Sequence, residues 1–213
     1  MEISLVMGSY NPKLEWLDKA LKSCIGLFDE IILVDDGSKI PIKHNIPTKI
    51  VRQNNKGFAE TRNRGILEAR GDVIASLDDD DYFIPENVLK LKEFIKLNDS
   101  DIWHFQIDMF GDRTGLWGEN ISDNIFDYDQ IPSGSWFKKS VWQDVGGYGK
   151  CRAEDWEFWC KAKTLNKKFT YFDLPIYFHR MRGDSLSAKF TPEMNNDFRE
   201  QIKTSCELLT KPI

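Results

Sequence analysis

Asp78, Asp79, Asp80 and Asp81 stand in a row directly behind the apolar run Val73-Ile74-Ala75-Ser76-Leu77. Carboxylates this close repel one another and need a cation to share. Hard oxygen ligands at this density suit Mg²⁺ or Mn²⁺, and either ion suits a phosphorylated substrate. Two more polar clusters follow apolar runs in the same way: Ser9-Tyr10-Asn11 behind residues 3–7, and Asp35-Asp36-Gly37-Ser38 behind residues 31–34. Singly, each is an ordinary turn, since Asn-Pro and Asp-Gly are common turn formers. Together, an aromatic ring, carboxylates that can accept hydrogen bonds from a base, and metal-binding carboxylates would hold a nucleotide diphosphate.

For the clusters to meet, the runs before them must be parallel strands of one sheet, because such sheets bind ligands outside their strands' carboxyl ends. The sequence supplies that alternation. Strands are predicted over 3–7, 31–34, 49–52, 73–77 and 102–107. Between them, Leu14, Leu17, Leu21 and Ile25 keep helical spacing up to Gly26, and residues 58–69 form a helix closed by Gly71. Pro85 opens a third helix with Val88, Leu91 and Ile95 on one face. This order predicts an α/β fold with a mainly parallel sheet flanked by helices. Residues 111–133 are polar and rich in Asp, Asn and Gly, and read as a mobile loop over the site. A strand at 135–139, a helical turn at 141–145, a helix at 155–165, strands at 170–173 and 176–178, and a terminal helix at 192–209 complete the reading. With neither repeat nor linker, residues 1–213 read as a single domain.

A net charge of −5 argues against a polyanionic partner, although Lys138, Lys139, Lys161, Lys163, Lys167 and Lys168 could form a local basic patch. No stretch approaches the roughly 18 consecutive apolar residues of a membrane span, and the start predicts no signal peptide. Cys24, Cys151, Cys160 and Cys206 show no paired spacing; they read as reduced thiols of a cytoplasmic protein. Five of the seven tryptophans lie between Trp117 and Trp159, where one or two of Trp136, Trp142, Trp156 and Trp159 are expected to line an acceptor site. His44 and His104 lack metal-ligand spacing. Gly146-Gly147-Tyr148-Gly149-Lys150 does not fit a phosphate loop, and the aspartate run lacks the turn glycine and distal glutamate of an EF-hand.

Five segments in order resemble the family 2 glycosyltransferases, which have the GT-A fold. They are Ile3-Ser4-Leu5-Val6-Met7-Gly8-Ser9-Tyr10-Asn11, Glu30-Ile31-Ile32-Leu33-Val34-Asp35-Asp36-Gly37-Ser38, and residues 55–65 with their Asn-x-Gly-x-Ala-x-x-Arg-Asn-x-Gly pattern. The segment 69–81 ends in the family's Asp-x-Asp motif, and Gly146-Gly147-Tyr148 with Glu154-Asp155-Trp156 resembles its acceptor-site motif. The resemblance covers about residues 3–187 and implies a GT-A-type, Rossmann-like mixed sheet. On it, residues up to about 107 form a nucleotide-sugar-binding half, about 108–190 an acceptor-binding half, and 191–213 a C-terminal helix.

The resemblance also implies roles. Tyr10, beside Ser9, stacks on or flanks the base, and Asp35 or Asp36 hydrogen-bonds it. Arg62 lies near the nucleotide, Asp78 near the ribose, Asp79 near the sugar or diphosphate, and Asp80 on a divalent metal, Mn²⁺ or Mg²⁺. Asp155 is the general base, which would remove the acceptor hydroxyl's proton during attack. The implied reaction moves a sugar with inversion from a nucleotide-diphosphate donor, a UDP-sugar, to a glycan or lipid-linked saccharide. A modified nucleic-acid base is an alternative acceptor that the acidic charge disfavours. One departure stands out. Where relatives carry Tyr-Arg-x-His before Ser-x-Ser, this chain has His179-Arg180-Met181-Arg182 before Ser185-Leu186-Ser187. Either Arg182 neutralises the diphosphate or His179 reaches the metal from a shifted register. The rival readings are an inactive sugar-nucleotide-binding module, a sugar-1-phosphate nucleotidyltransferase, for which the first turn has too few glycines, and a phosphatase, for which Tyr82 occupies the wrong position.

Overall fold

The computed structural model describes residues 1–46, 48–185 and 189–210. In chain order the elements are β1 (Ile3–Ser9), α1 (Leu14–Ser23), β2 (Glu30–Asp35), β3 (Lys49–Arg52), α2 (Phe58–Glu68), β4 (Val73–Ser76), β5 (Tyr82–Phe83) and α3 (Pro85–Leu97). There follow β6 (Ile102–Gly111), β7 (Gly115–Trp117), β8 (Trp136–Lys138), α4 (Lys139–Asp144), α5 (Glu154–Thr164), β9 (Phe169–Met181) and α6 (Pro192–Thr210). They build one sheet in the order β3-β2-β1-β4-β8-β6-β9-β5, with β7 paired to β6. Strands β3, β2, β1 and β4 are mutually parallel, as are β6 and β9. The short β8 runs antiparallel to both β4 and β6 and joins the two parallel blocks. Most paired residues are therefore in parallel register.

Alternate residues of the central strands feed two apolar layers, as the period of two requires. Leu5, Met7, Leu33 and Ala75 face Leu17, Leu21, Val88 and Leu91 of α1 and α3. Val6, Ile32, Val34 and Ile74 join Ile66, Trp159 and Ile202 of α2, α5 and α6 on the other side. Helix α2 lies hard against the sheet at Gly65, where a Cβ would come 2.3 Å from Val6 Cγ1. All the helices expected from spacing form, to within a few residues.

Four expectations need correction. The strands expected at 170–173 and 176–178 are the single strand β9, with register shifts opposite Gln106. Pro175 has no N–H for the ladder, and a bulge lets the strand continue past it. The region 111–133 is more than a mobile loop: it contains β7 and a 3₁₀ turn, Asp123–Phe126, and it buries Ile125 and Ile131 completely. Two isolated isoleucines give no periodic signal. The lysines do not form a free basic patch, because Lys138, Lys161, Lys163 and Lys167 pair with Asp99, Glu157, Asp123 and Asp144. Lys139 and Lys168 donate to the carbonyls of Ala69 and Asp99. Finally, Trp136, Trp156 and Trp159 are core residues, and Trp142 is spent on a hydrogen bond to Asn63. The four cysteines are free thiols and all are buried. No helix among the described residues is long and apolar enough to cross a membrane.

Candidate active site

The carboxyl ends of β1, β2 and β4 lie side by side, and their polar turns interlock. Asp36 N–H donates to Ser9 O (2.9 Å), and Ser9 Oγ donates to Asp79 Oδ2 (2.5 Å). Asn11 is held in a left-handed conformation, φ 48°, and its N–H donates to Ser38 Oγ at 2.9 Å. Tyr10 projects at the rim, 53% exposed, with its ring open to a partner. The first three clusters therefore do converge along one sheet edge.

Asp35 and Asp36 have other work. Asp35 is buried and accepts from the N–H groups of Ser38 (2.8 Å) and Ile42 (3.2 Å) and from Arg52. Burial opposes its charge, but these donors and Arg52 outweigh that and hold its carboxyl below the usual range. Asp36 accepts from Gln53 Nε2 (2.8 Å), Lys56 N (2.9 Å) and Gly57 N (2.9 Å). Each oxygen already has a protein partner, so these two carboxylates shape the β2 turn. Gly37 completes it at φ +81°, where a Cβ would also strike Asn55 N at 2.7 Å.

The aspartate row divides its labour. Asp81 is buried and ties β9 to the turn, accepting from Arg180 N (2.7 Å) and pairing with His179 Nδ1 (2.8 Å). Burial disfavours a charged His179, but the bond to Asp81 wins and raises the imidazole to about 9. Asp80 meets Arg182 Nη2 at 3.2 Å, while its carbonyl accepts from Arg180 Nε at 3.1 Å. Asp79 is pushed up to about 7, first by burial and then by its carboxylate neighbours, against the Ser9 bond. Burial and Asp78 likewise raise Asp80. This is the signature of carboxylates that are buried and crowded against one another.

Arg62 connects this edge to α5. It is 6% exposed and reaches Asp78 at 3.4 Å and Glu154 at 3.2 Å. Its guanidinium lies over the rings of Tyr148 (5.6 Å) and Phe58 (5.9 Å). The next residue, Asn63, is structural: its Oδ1 accepts from Tyr148 N–H and its Nδ2 donates to Tyr148 C=O, both at 2.9 Å, which fixes the Gly146-Gly147-Tyr148 turn. That turn leads to α5, whose first residues are Glu154 and Asp155. Burial and the adjacent Asp155 raise Glu154 to about 7, with Arg62 opposing. Asp129, from the 111–133 region, is pushed well up by burial and by the charge of Asp155. Asp129 was missed by reasoning from sequence, since it sits in no motif; Glu154 was visible in the Glu-Asp pair. Ser187 of the C-terminal serine motif lies outside the described residues.

A family model described as glycosyl transferase family 2 matches residues 4–141. The chain belongs to glycosyl transferase family 2. It is thus a glycosyltransferase, and curated relatives carry that name. It is 29% identical over 210 residues to the uncharacterized glycosyltransferase YwdF of Bacillus subtilis (strain 168), covering 88% of this chain and 78% of YwdF. It is 28% identical over 226 residues to the minor teichoic acid biosynthesis protein GgaB of the same organism, covering 92% of this chain but 25% of GgaB. The fold matches residues 1–349 of TarS from S. aureus, crystallised with UDP-GlcNAc, with a TM-score of 0.77 at 19% identity. That match covers 100% of this chain and 68% of the TarS chain. The glycosyltransferase accordingly has the GT-A fold.

Proposed function

We propose that this enzyme is a metal-dependent, inverting glycosyltransferase that uses a UDP-sugar, with Asp155 as the general base. The observation that supports it best is the Arg62 bridge, which sets the start of α5 beside the Asp78–Asp81 turn. In this reading Tyr10 and Ser9 border the nucleotide, Asp78 the ribose and Asp79 the sugar or diphosphate. Asp35 and Asp36 act on the base through the turn they hold rather than through free oxygens. Arg182 faces the diphosphate. Asp155, half-buried in the first turn of α5, takes the proton from the acceptor hydroxyl as it attacks opposite the leaving group. The donor half is residues up to about 107 and the acceptor half about 108–190. A reduced-thiol chain with this activity fits the cytoplasm, where nucleotide sugars are made available to such enzymes.

The donor set fits a Mg²⁺ or Mn²⁺ ion. Among the described residues no three His, Cys, Asp or Glu side chains form a ready cage. Such ions are commonly held by one or two carboxylates together with substrate phosphates, and the under-neutralised Asp80 is suited to that part. His179, with Nδ1 tied to Asp81, would present Nε2 to the ion only after giving up the proton that Asp81 favours. Bound there, the ion would neutralise charge on the departing diphosphate. The TarS complex supports a UDP-linked donor, and the role of GgaB in minor teichoic acid biosynthesis supports a teichoic acid or a saccharide as acceptor.

The test is hydrolysis of a nucleotide-sugar panel with Mn²⁺, Mg²⁺ or EDTA, using wild type, Asp80→Ala and Asp155→Asn. Slow metal-dependent hydrolysis of one donor, lost in Asp80→Ala, is expected. An enzyme that neither turns over nor binds any nucleotide with metal would sink the donor assignment.

A further inference from the structure

Trp16, half-buried in the first turn of α1, gathers cations. Lys13 Nζ lies 3.9 Å from the centre of its ring, the Arg180 guanidinium 4.2 Å and the Arg182 guanidinium 5.2 Å. Arg180 also covers Phe110 at 4.6 Å; Phe110 meets Tyr82 at 5.4 Å, and Lys19 Nζ sits 3.3 Å over Tyr82. The result is a continuous strip of alternating cations and rings running from Lys13 to Lys19.

The strip is short of negative charge. Arg182 reaches Asp80 at 3.2 Å and, at 3.7 Å, the exposed Asp184. Among the described residues, Lys13, Lys19 and Arg180 make no ion pair with any carboxylate. The Arg182 Nε is shielded from solvent and makes no hydrogen bond, having only the 3.7 Å approach of Asp184. Several cations around one indole repel one another, and partly exposed ring faces return little for each. In a chain of net charge −5 such a surplus is local and specific. It also adjoins the catalytic edge, because Arg180 and Arg182 grip the carbonyl and the carboxylate of Asp80.

We infer that Trp16, Lys13 and Arg180, with Arg182, form a site for phosphoryl oxygens, in which Trp16 is a positioning residue that aligns the cations. Guanidinium groups bind phosphate through paired N–H donors, and the ammonium of Lys13 adds a point charge. The phosphoryl group comes either from the donor diphosphate or from a phosphate in the acceptor; the site deepens the donor-edge reading proposed above and rests on it.

The experiment is calorimetric titration of UDP, uridine and a short glycerol phosphate oligomer, in Mn²⁺ buffer at low and high salt. Wild type is compared with Trp16→Ala, Trp16→Phe and the double variant Lys13→Gln/Arg180→Gln, each checked for an intact thermal transition. Trp16→Ala and the double variant should weaken a phosphate ligand about tenfold and flatten its salt dependence, while Trp16→Phe retains most of the affinity. Uridine binding should not change. Loss confined to UDP assigns the donor diphosphate as the source; loss confined to the oligomer assigns the acceptor. Undiminished binding of both phosphate ligands in folded variants, or a wild type that binds neither, overturns the site. If neither UDP nor uridine binds the wild type, the donor reading itself fails, which separates the two outcomes.

Discussion

Asp79→Asn should stabilise the unliganded protein, and by more at pH 8 than at pH 5. The Asp79 carboxyl is half-buried among three other aspartates and is raised from 3.8 to about 7. Because the folded value exceeds the unfolded one, the folded chain holds more protons between them, so stability falls as pH rises through that window. Each pKa unit corresponds to about 1.4 kcal/mol, giving a full burden of about 4 kcal/mol at pH 8 and about 1.5 kcal/mol at pH 5. Partial exposure screens some of this, leaving a difference of about 2 kcal/mol between the two conditions. Asparagine is close in shape and retains an acceptor for Ser9 Oγ, but it carries no charge. Urea unfolding of both proteins at the two pH values reads the effect directly. A gain of 2 kcal/mol would raise Tm by about 4–8 °C in a chain of this size. An equal effect at both pH values, or destabilisation at pH 8, would refute the argument that burial and its carboxylate neighbours hold the Asp79 carboxyl up. The same variant should bind donor poorly, as expected where strain is stored at a site.

Arg62→Ala should destabilise the protein by about 3–5 kcal/mol in urea unfolding, since it strips Asp78 and Glu154 of a buried partner; a loss below 1 kcal/mol would mean the bridge is incidental. Gly65→Ala should cost about 1–3 kcal/mol because its Cβ would intrude to 2.3 Å from Val6 Cγ1, and pairing it with Val6→Ala should recover part of that loss. Arg182→Ala removes the cation that occupies Asp80 at 3.2 Å, so Mn²⁺ without nucleotide should bind several-fold more tightly, as read by calorimetric titration; weaker binding would show that Arg182 does not compete with the metal.

Sequence alone determined the alternation of strands and helices and the placement of the polar clusters behind strands. Those features are local. Runs such as residues 31–34 are short, continuous and apolar, and Gly and Pro end elements by their own backbone preferences. Their convergence also followed, because parallel strands put their carboxyl ends on one edge. Which oxygen is free was decided only by tertiary structure. Asp35 and Asp36 look like ligands in the sequence, yet Arg52, Gln53 and the Lys56-Gly57 backbone, brought in by β3 and its following turn, claim their oxygens. Asp81 resembles its three neighbours but is consumed by β9 through His179 and Arg180, 98 and 99 residues away. Trp16 gives no motif, and the cations around it come from the β1–α1 turn and from the far end of β9. Such contacts join segments distant in the chain, so they depend on how the sheet is ordered and registered, and no local spacing records them.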